Sequence, residues 1–201
     1  MKKNTIPVRD PHVALFNRIA PVYRLFFRHQ TRRFEKIVPL VVRGGSEEEI
    51  VLDIGCGTGA LTTLLGGMGY RTVGIDPSPL MIHYAMEKSI PGKQMYCVAD
   101  GASFLPFRDR SFDIVIATYV LHGLSSDKRM KLMKEARRLS RGRVIFHDYY
   151  RRSPLTDIVE WFEGGDYRGF VAKGSREMRE VFISVETVPT DGNMAWYICA
   201  D

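Results

Sequence analysis

Apolar and polar positions change rhythm along the chain. Over residues 10–41 the apolar side chains Val22, Leu25 and Phe26, and later Ile37, Val38 and Val41, recur at helical spacing, and Pro21 is expected to divide this stretch into two helices. "RGGSEEE" (43–49) reads as a linker. Short apolar runs then alternate with helical patterns. Strands are predicted at Ile50–Ile54, Thr72–Asp76, Gln94–Asp100, Phe112–Tyr119 and Arg143–Phe146, with helices over 59–67, 78–88 and 127–139, the last capped by Asp127. Phe112–Tyr119 reads as a continuous apolar strand buried on both faces. Ser153-Pro154 predicts a further helix ending at Gly164-Gly165, and Ser175 the cap of a short one. The turn "TDGN" (190–193) joins two closing runs, Ile183–Val188 and Met194–Cys199, which must pair antiparallel. Regular strand–helix alternation followed by a hairpin predicts a mostly parallel α/β sheet with one reversed edge strand.

Composition narrows this picture. With 201 residues, 45% of them apolar, the chain is expected to form one domain with a sizeable core. Cys56, Cys97 and Cys199 are widely spaced and form no CxxC pair, so a reduced, cytoplasmic chain without disulfides or a metal cluster is expected. The start "MKKNTIPVRD" has no apolar signal core, and the longest uncharged run, Ile54–Tyr70, is rich in glycine, so no spanning helix is expected. Net charge is +6, and residues 1–43 hold ten of the basic residues against two acids. That excess suits an anionic partner (substrate, RNA or lipid headgroup) or simply a solvated helix face.

The candidate chemistry sits in "VLDIGCGTGALTTLLGGMGYRTVGID" (51–76), which reads as strand, glycine loop, helix and a second strand ending in an acid. Gly55, Gly57 and Gly59 let the chain bend tightly and let backbone N–H groups approach a ligand. The same spacing fits a dinucleotide site. Three acids at predicted strand ends separate the two readings. Asp53 suits a ligand with an ammonium group rather than a pyrophosphate, Asp76 can accept both hydroxyls of a ribose, and Asp100 can accept from an adenine amino group.

"VLDIGCGTG" resembles the first motif of the class I S-adenosylmethionine-dependent methyltransferases. "VGIDPSPLMIHYA" resembles their second motif and "VADGASFLPFRDRSFDIVIATYVLHGL" their third and fourth. Within that superfamily the chain is most similar to the ubiquinone/menaquinone-type small-molecule group, methyltransferase type 11. "FNRIAPVYR" resembles that group's entry segment, with Tyr23-Arg24 where Tyr-Asp is usual. The resemblance spans residues 12–149 and implies a Rossmann-like, doubly wound sheet of seven strands with a C-terminal antiparallel hairpin. It implies residues 1–45 as a helical lid or substrate segment and 46–201 as the domain that binds S-adenosyl-L-methionine. Asp53, Gly55, Cys56, Gly57 and Gly59 would pass the methionine end, and Asp76 would hold the ribose. Asp100, Gly101 and Ala102 would read adenine, with Pro77 and Met81 on its faces. Ala117 and Tyr119 would lie beside the methyl, and Cys56 would serve as packing rather than as a nucleophile.

Transfer from a sulfonium is an in-line displacement that mainly needs alignment and exclusion of water, plus a base only if the acceptor must lose a proton. His122, Tyr23 and Asp148 are the candidates for that role, with His147 and Tyr149 close by in sequence; His12, His29 and His83 read as structural or exposed. The aromatic residues Tyr149, Tyr150, Trp161, Phe162, Tyr167 and Phe170 suit an aromatic or lipid-like acceptor, or plain core packing. Three other readings stay open. Tyr84 and Lys88 match a nicotinamide-dependent reductase pair in letters only. The basic N-terminal segment suits an RNA-directed methyltransferase or a non-catalytic S-adenosylmethionine-binding protein, and it could also touch a membrane surface. "ATYV" stands where base and glutamine N-methylating enzymes carry "DPPY" or "NPPY".

Overall fold

Successive residues of an extended chain face opposite ways, and the architecture follows from that rule. The computed structural model describes residues 11–40, 42, 48–153, 165–190 and 192–201. The chain forms helix α1 (Pro11–Ile37) with a short 3-10 turn (Val38–Leu40), then β1 (Ile50–Ile54), α2 (Ala60–Gly67), β2 (Arg71–Asp76), α3 (Pro79–Met86) and β3 (Gln94–Val98). Next come β4 (Phe112–Thr118), a 3-10 turn (Leu121–Gly123), α4 (Ser126–Leu139), β5 (Ser140–Tyr149), α5 (Tyr167–Val181), β6 (Ser184–Pro189) and β7 (Met194–Ala200).

The seven strands make one sheet in the order β3-β2-β1-β4-β5-β7-β6. β1 to β5 are parallel, and β7 runs antiparallel to both β5 and β6. Alternation sends Leu52, Ile54, Val115, Ala117, Val144 and Phe146 to one face, where α4 and α5 bring Leu132, Ala136, Phe170 and Met178. Val51, Ile114, Ile116 and Ile145 go to the other face, under Leu61 and Leu65 of α2 and Phe34 of α1. Burial on both faces is why these strands read as apolar runs rather than alternating ones. Asp113 departs from that pattern in β4: it is only half-buried, accepts from the Ile50 amide at 2.9 Å and pairs with Arg141.

Four expectations are corrected. Helix α1 is continuous through Pro21. A proline removes one internal hydrogen bond, yet Val13, Ala20, Phe27 and Phe34 recur every seventh residue as a seam whose packing holds the helix together. The last helix starts at Asp166, whose side chain accepts from the Gly169 amide at 3.1 Å, so Ser175 lies mid-helix and caps nothing. Helix α4 begins after Ser125 rather than at Asp127. The reversed strand, β7, is inserted between β5 and β6 rather than placed at the edge, because the hairpin docks by its second strand. The helix predicted from Ser153-Pro154 to Gly164-Gly165, with Trp161 and Phe162, falls on residues 154–164, outside the described residues. Among the described residues, no helix is long and apolar enough to cross a membrane.

A buried ion cluster fastens the layer behind the sheet. Arg129 of α4 donates in a fork to Glu177 of α5, at 2.7 and 3.0 Å, and its remaining nitrogen reaches Asp166 at 3.0 Å and the Leu124 carbonyl at 2.6 Å. The guanidinium is fully buried, so losing it strands the Glu177 carboxylate in an apolar setting. Arg129→Ala is therefore expected to cost about 3–5 kcal/mol in chemical denaturation. Adding Glu177→Leu to that variant should recover part of the loss, because the stranded charge goes too; additive losses would contradict this account.

Candidate cofactor and active site

The carboxyl ends of β1 and β4 are adjacent, and the sheet order runs away from them in opposite directions. That divergence opens a crevice in a parallel sheet. Here the crevice becomes a cavity of about 380 Å³, within the size range of small-molecule sites. Its floor is the loop after β1, from Ile54 to Thr58, and its flanks are Asp76, Pro77 and Met81 after β2 and Asp100 and Gly101 after β3. Thr118 at the end of β4, Tyr119 and His122 after it, and Tyr149 at the end of β5 form the far wall. Helix α1 supplies the remaining wall with Phe16, Tyr23 and Gln30, again every seventh residue, together with His29 and Arg33.

The loop after β1 owes its shape to glycine at two points. A Cβ on Gly55 would lie 2.5 Å from Val120 Cγ2, so the loops after β1 and β4 touch there. Gly57 has φ +53, a conformation costly for residues with a Cβ, and its N–H donates to Asp76 Oδ2 at 3.0 Å. Asp76 Oδ1 accepts from the Ser78 amide at 2.8 Å. One carboxylate thereby joins the glycine loop to the start of α3, while Asn17 of α1 accepts from the Ser78 hydroxyl at 2.7 Å. Burial pushes the Asp76 carboxyl up to about 6, against the lowering effect of the two amides. Asp100 Oδ1 accepts from the Ala102 amide at 2.9 Å, which fixes that carboxylate at the cavity rim.

Opposite these acids stands a histidine held by its own carboxylate. Asp148, at the end of β5, accepts from His122 Nδ1 at 2.7 Å. It also accepts from the amides of Leu121 at 2.9 Å and His122 at 3.3 Å, and from its neighbour Tyr149 at 2.8 Å. A carboxylate can only accept, so Nδ1 carries the hydrogen and Nε2 is the basic nitrogen of the neutral ring. Tyr149 packs edge-on against His122, with ring centroids 4.9 Å apart, and Tyr167 braces Tyr149 from behind at 4.9 Å.

Of the residues expected at the site, Gly55, Cys56, Gly57, Asp76, Pro77, Met81, Asp100, Gly101, Tyr119, His122 and Tyr23 all line the cavity. Five are placed differently. Asp53 shares its face of the sheet with Val51 and so meets α2, accepting from the Thr62 hydroxyl at 2.6 Å, fully buried behind the loop. Gly59 is pressed between Ala85 and Tyr96, where a Cβ would come within 2.9 Å of each. Ala117 faces the α4 side of the core, Ala102 contributes its amide, and Asp148 acts through His122. His147 is fully buried against Trp196, and burial pushes its imidazole down to about 4. Tyr84 and Lys88 pack against α1, under Arg24 and over Phe27, rather than on the cavity. Cys56 is buried and its thiol is pushed upward, which leaves it protonated and suited to packing.

The sequence reading missed Thr58, His29, Gln30 and Arg33. Thr58 sits inside the glycine motif, and its buried hydroxyl has no hydrogen-bond partner among the described residues. The seven-residue spacing of Phe16, Tyr23 and Gln30 was the available signal for the wall from α1.

Desolvation raises the Asp53 carboxyl from 3.8 to about 7. The folded state then holds a proton that the unfolded chain has lost, so stability present below about pH 4 declines as pH rises through about 7. Asp53→Asn keeps an acceptor for Thr62 and removes the buried charge. In ligand-free denaturation the variant is expected to match the parent near about pH 4 and to exceed it near about pH 8 by at least about 1 kcal/mol. Equal pH profiles would contradict the placement of Asp53.

Comparison with known proteins agrees with this geometry. Residues 52–146 match the family described as "Methyltransferase domain". The chain is 31% identical over 140 residues to demethylmenaquinone methyltransferase of Thermotoga maritima, covering 65% of this chain and 58% of that protein. It is 35% identical over 114 residues to the 18S rRNA (guanine-N(7))-methyltransferase bud23 of Schizosaccharomyces pombe, covering 56% and 40%. Its fold matches the solved DhpI-SAH complex with a TM-score of 0.69 at 18% identity, over 94% of each chain. The chain spans about 40% to 62% of the length of the first curated relatives it matches. Residues 52–146 thus match a methyltransferase domain, and the motif order, the sheet and these likenesses agree in pointing to the class I S-adenosylmethionine-dependent methyltransferases.

Proposed function

We propose that this chain transfers a methyl group from S-adenosyl-L-methionine to a small-molecule acceptor by in-line displacement, with α1 serving as the lid of the site. The observation that carries the reading is that one cavity collects Asp76, Asp100 and the Gly55–Thr58 loop on one side and the His122–Asp148 pair on the other.

The residues present fit the cofactor. Each Asp76 oxygen accepts one amide and keeps a lone pair for a ribose hydroxyl. Asp100 keeps Oδ2 for the adenine amino group, beside the apolar face of Met81. The Thr58 hydroxyl, buried and without a partner among the described residues, suits the amino-acid end, since an orphaned polar atom at a cavity wall costs stability until a ligand meets it. When bound, the cofactor supplies a methyl on a positively charged sulfur, an already activated leaving group.

The chain's own residues then have three tasks. Tyr23 and Gln30 of α1 cover the cavity and exclude water, while Tyr119 and Tyr149 give an acceptor an aromatic wall to lie against. Alignment of that kind supplies roughly 7–11 kcal/mol in favourable systems, which makes it the largest single contribution. His122 Nε2 can take a proton from an acceptor hydroxyl or amine. Asp148 orients that ring and stabilises its cationic form, a contribution of about 10²–10⁴-fold where the acceptor needs deprotonation. A small acceptor is supported by the roofed, aromatic cavity. Relatives named for a quinone and for ribosomal RNA show that the fold alone does not choose between acceptors.

Calorimetry with S-adenosylhomocysteine tests the reading. Binding is expected for the parent, and Asp76→Ala should weaken it by about 10–100-fold, the value of hydrogen bonds to a charged acceptor. Since the ligand-free Asp76 carboxyl sits at about 6 and hydroxyl donors favour its ionised form, affinity should be level above that pH and fall as pH drops below it. Absence of binding by the parent would refute the proposal.

A further inference from the structure

We propose that Arg33 and Tyr119 form a carboxylate-binding corner of the cavity, which recognises an acid group on one of the two reactants; this rests on the reading of the cavity as a methyl-transfer site. Arg33 lines the cavity from α1, and its guanidinium carbon lies 5.6 Å from the centroid of the Tyr119 ring. Among the described residues Arg33 makes no ion pair, although other arginines of the fold, such as Arg24, Arg129, Arg138 and Arg141, each meet a carboxylate. A cation at a cavity wall with no carboxylate of its own is a free half of a recognition pair.

Tyr119 makes the second half of the argument. Its hydroxyl is buried and has no hydrogen-bond partner among the described residues. The residue sits at φ 58, in the left-handed region that a bulky side chain rarely adopts, and its amide is tied to the His147 carbonyl at 2.9 Å. Strain of this kind concentrates where a side chain must be aimed at a ligand. Burial pushes the phenol up to about 12, so it remains a donor at neutral pH. His29 and Gln30, on the same stretch of α1, add hydrogen-bonding groups to this wall. Among the described residues the carboxylates that line the cavity, Asp76 and Asp100, lie on the opposite flank after β2 and β3.

The charge count favours a carboxylate. One fixed guanidinium with neutral donors around it balances a single negative charge and presents the fork that a planar carboxylate accepts. A phosphate dianion would leave a net negative charge facing Asp76 and Asp100. Two sources carry this chemistry: the amino-acid end of the cofactor, or an acid group on the acceptor.

Arg33→Met keeps the bulk of the side chain at a solvent-reaching helix position, and its melting temperature should match the parent's. Three probes are titrated by calorimetry into parent and variant: S-adenosylhomocysteine, 5′-methylthioadenosine (the same thioether without the amino-acid group) and benzoate in the presence of either nucleoside. If the cofactor is the source, the variant binds S-adenosylhomocysteine at least tenfold more weakly and 5′-methylthioadenosine unchanged. If the acceptor is the source, both nucleosides bind unchanged, and benzoate binds the parent but not the variant. Tyr119→Phe should reproduce the affected arm in weaker form. The corner is overturned if both proteins treat S-adenosylhomocysteine and benzoate alike, or if the variant weakens both nucleosides equally. A parent that binds neither nucleoside removes the cofactor reading itself, and benzoate alone then decides the corner.

Discussion

A single buried carboxylate sets the geometry of the site. Asp76 ends β2 and accepts one amide from the glycine loop and one from the start of α3, so two segments from different strands are tied at one point. The arrangement resists relaxation, because releasing either amide would leave a buried donor or acceptor unpaired. It also favours glycine at position 57, because the loop passes through φ +53 at the residue whose N–H meets the carboxylate. The cavity is therefore shaped before any ligand arrives, and the oxygens that shape it keep lone pairs facing inward.

The same device appears at the other end of the sheet. Asp148 ends β5 and accepts the amides of Leu121 and His122, holding the turn after β4 much as Asp76 holds the loop after β1. One carboxylate organises the half of the cavity suited to a nucleoside, and the other organises the half with a basic nitrogen. Behind the second half, Arg129 binds the Leu124 carbonyl, Asp166 and Glu177, so the His122 turn is anchored to α5 as well as to the sheet. Helix α1 closes the remaining side through the Asn17–Ser78 contact and the packing of Phe34 on α2.

Much of this was legible in the sequence. The strand runs, the glycine loop and the acids Asp76 and Asp100 follow local rules, since a period, a turn residue or a strand end marks each one. What was not legible depended on distant contacts. Asp53 carries the motif, yet strand alternation turns it toward Thr62 of α2 rather than the cavity. Pro21 signals a break, and a packed seam of Val13, Ala20, Phe27 and Phe34 overrides it. Ser175 has the letter of a cap, but Asp166 lies one residue before Tyr167 and takes the role. Arg33 looked like part of a basic run until folding set it over Tyr119. Except at Ser175, where a local cap earlier in the same helix took the role, a tertiary neighbour decided between alternatives that local sequence leaves equal.

Hydrogen exchange read by mass spectrometry, with and without S-adenosylhomocysteine, tests most directly whether the carboxyl edge of the sheet is a cofactor grip. Ligand should slow exchange in the segments around Gly55–Thr58, Asp76–Met81, Asp100–Ser103 and Tyr119–Gly123, and leave the β6–β7 hairpin as it was. Protection absent from these four segments, or concentrated at the hairpin, would contradict the account.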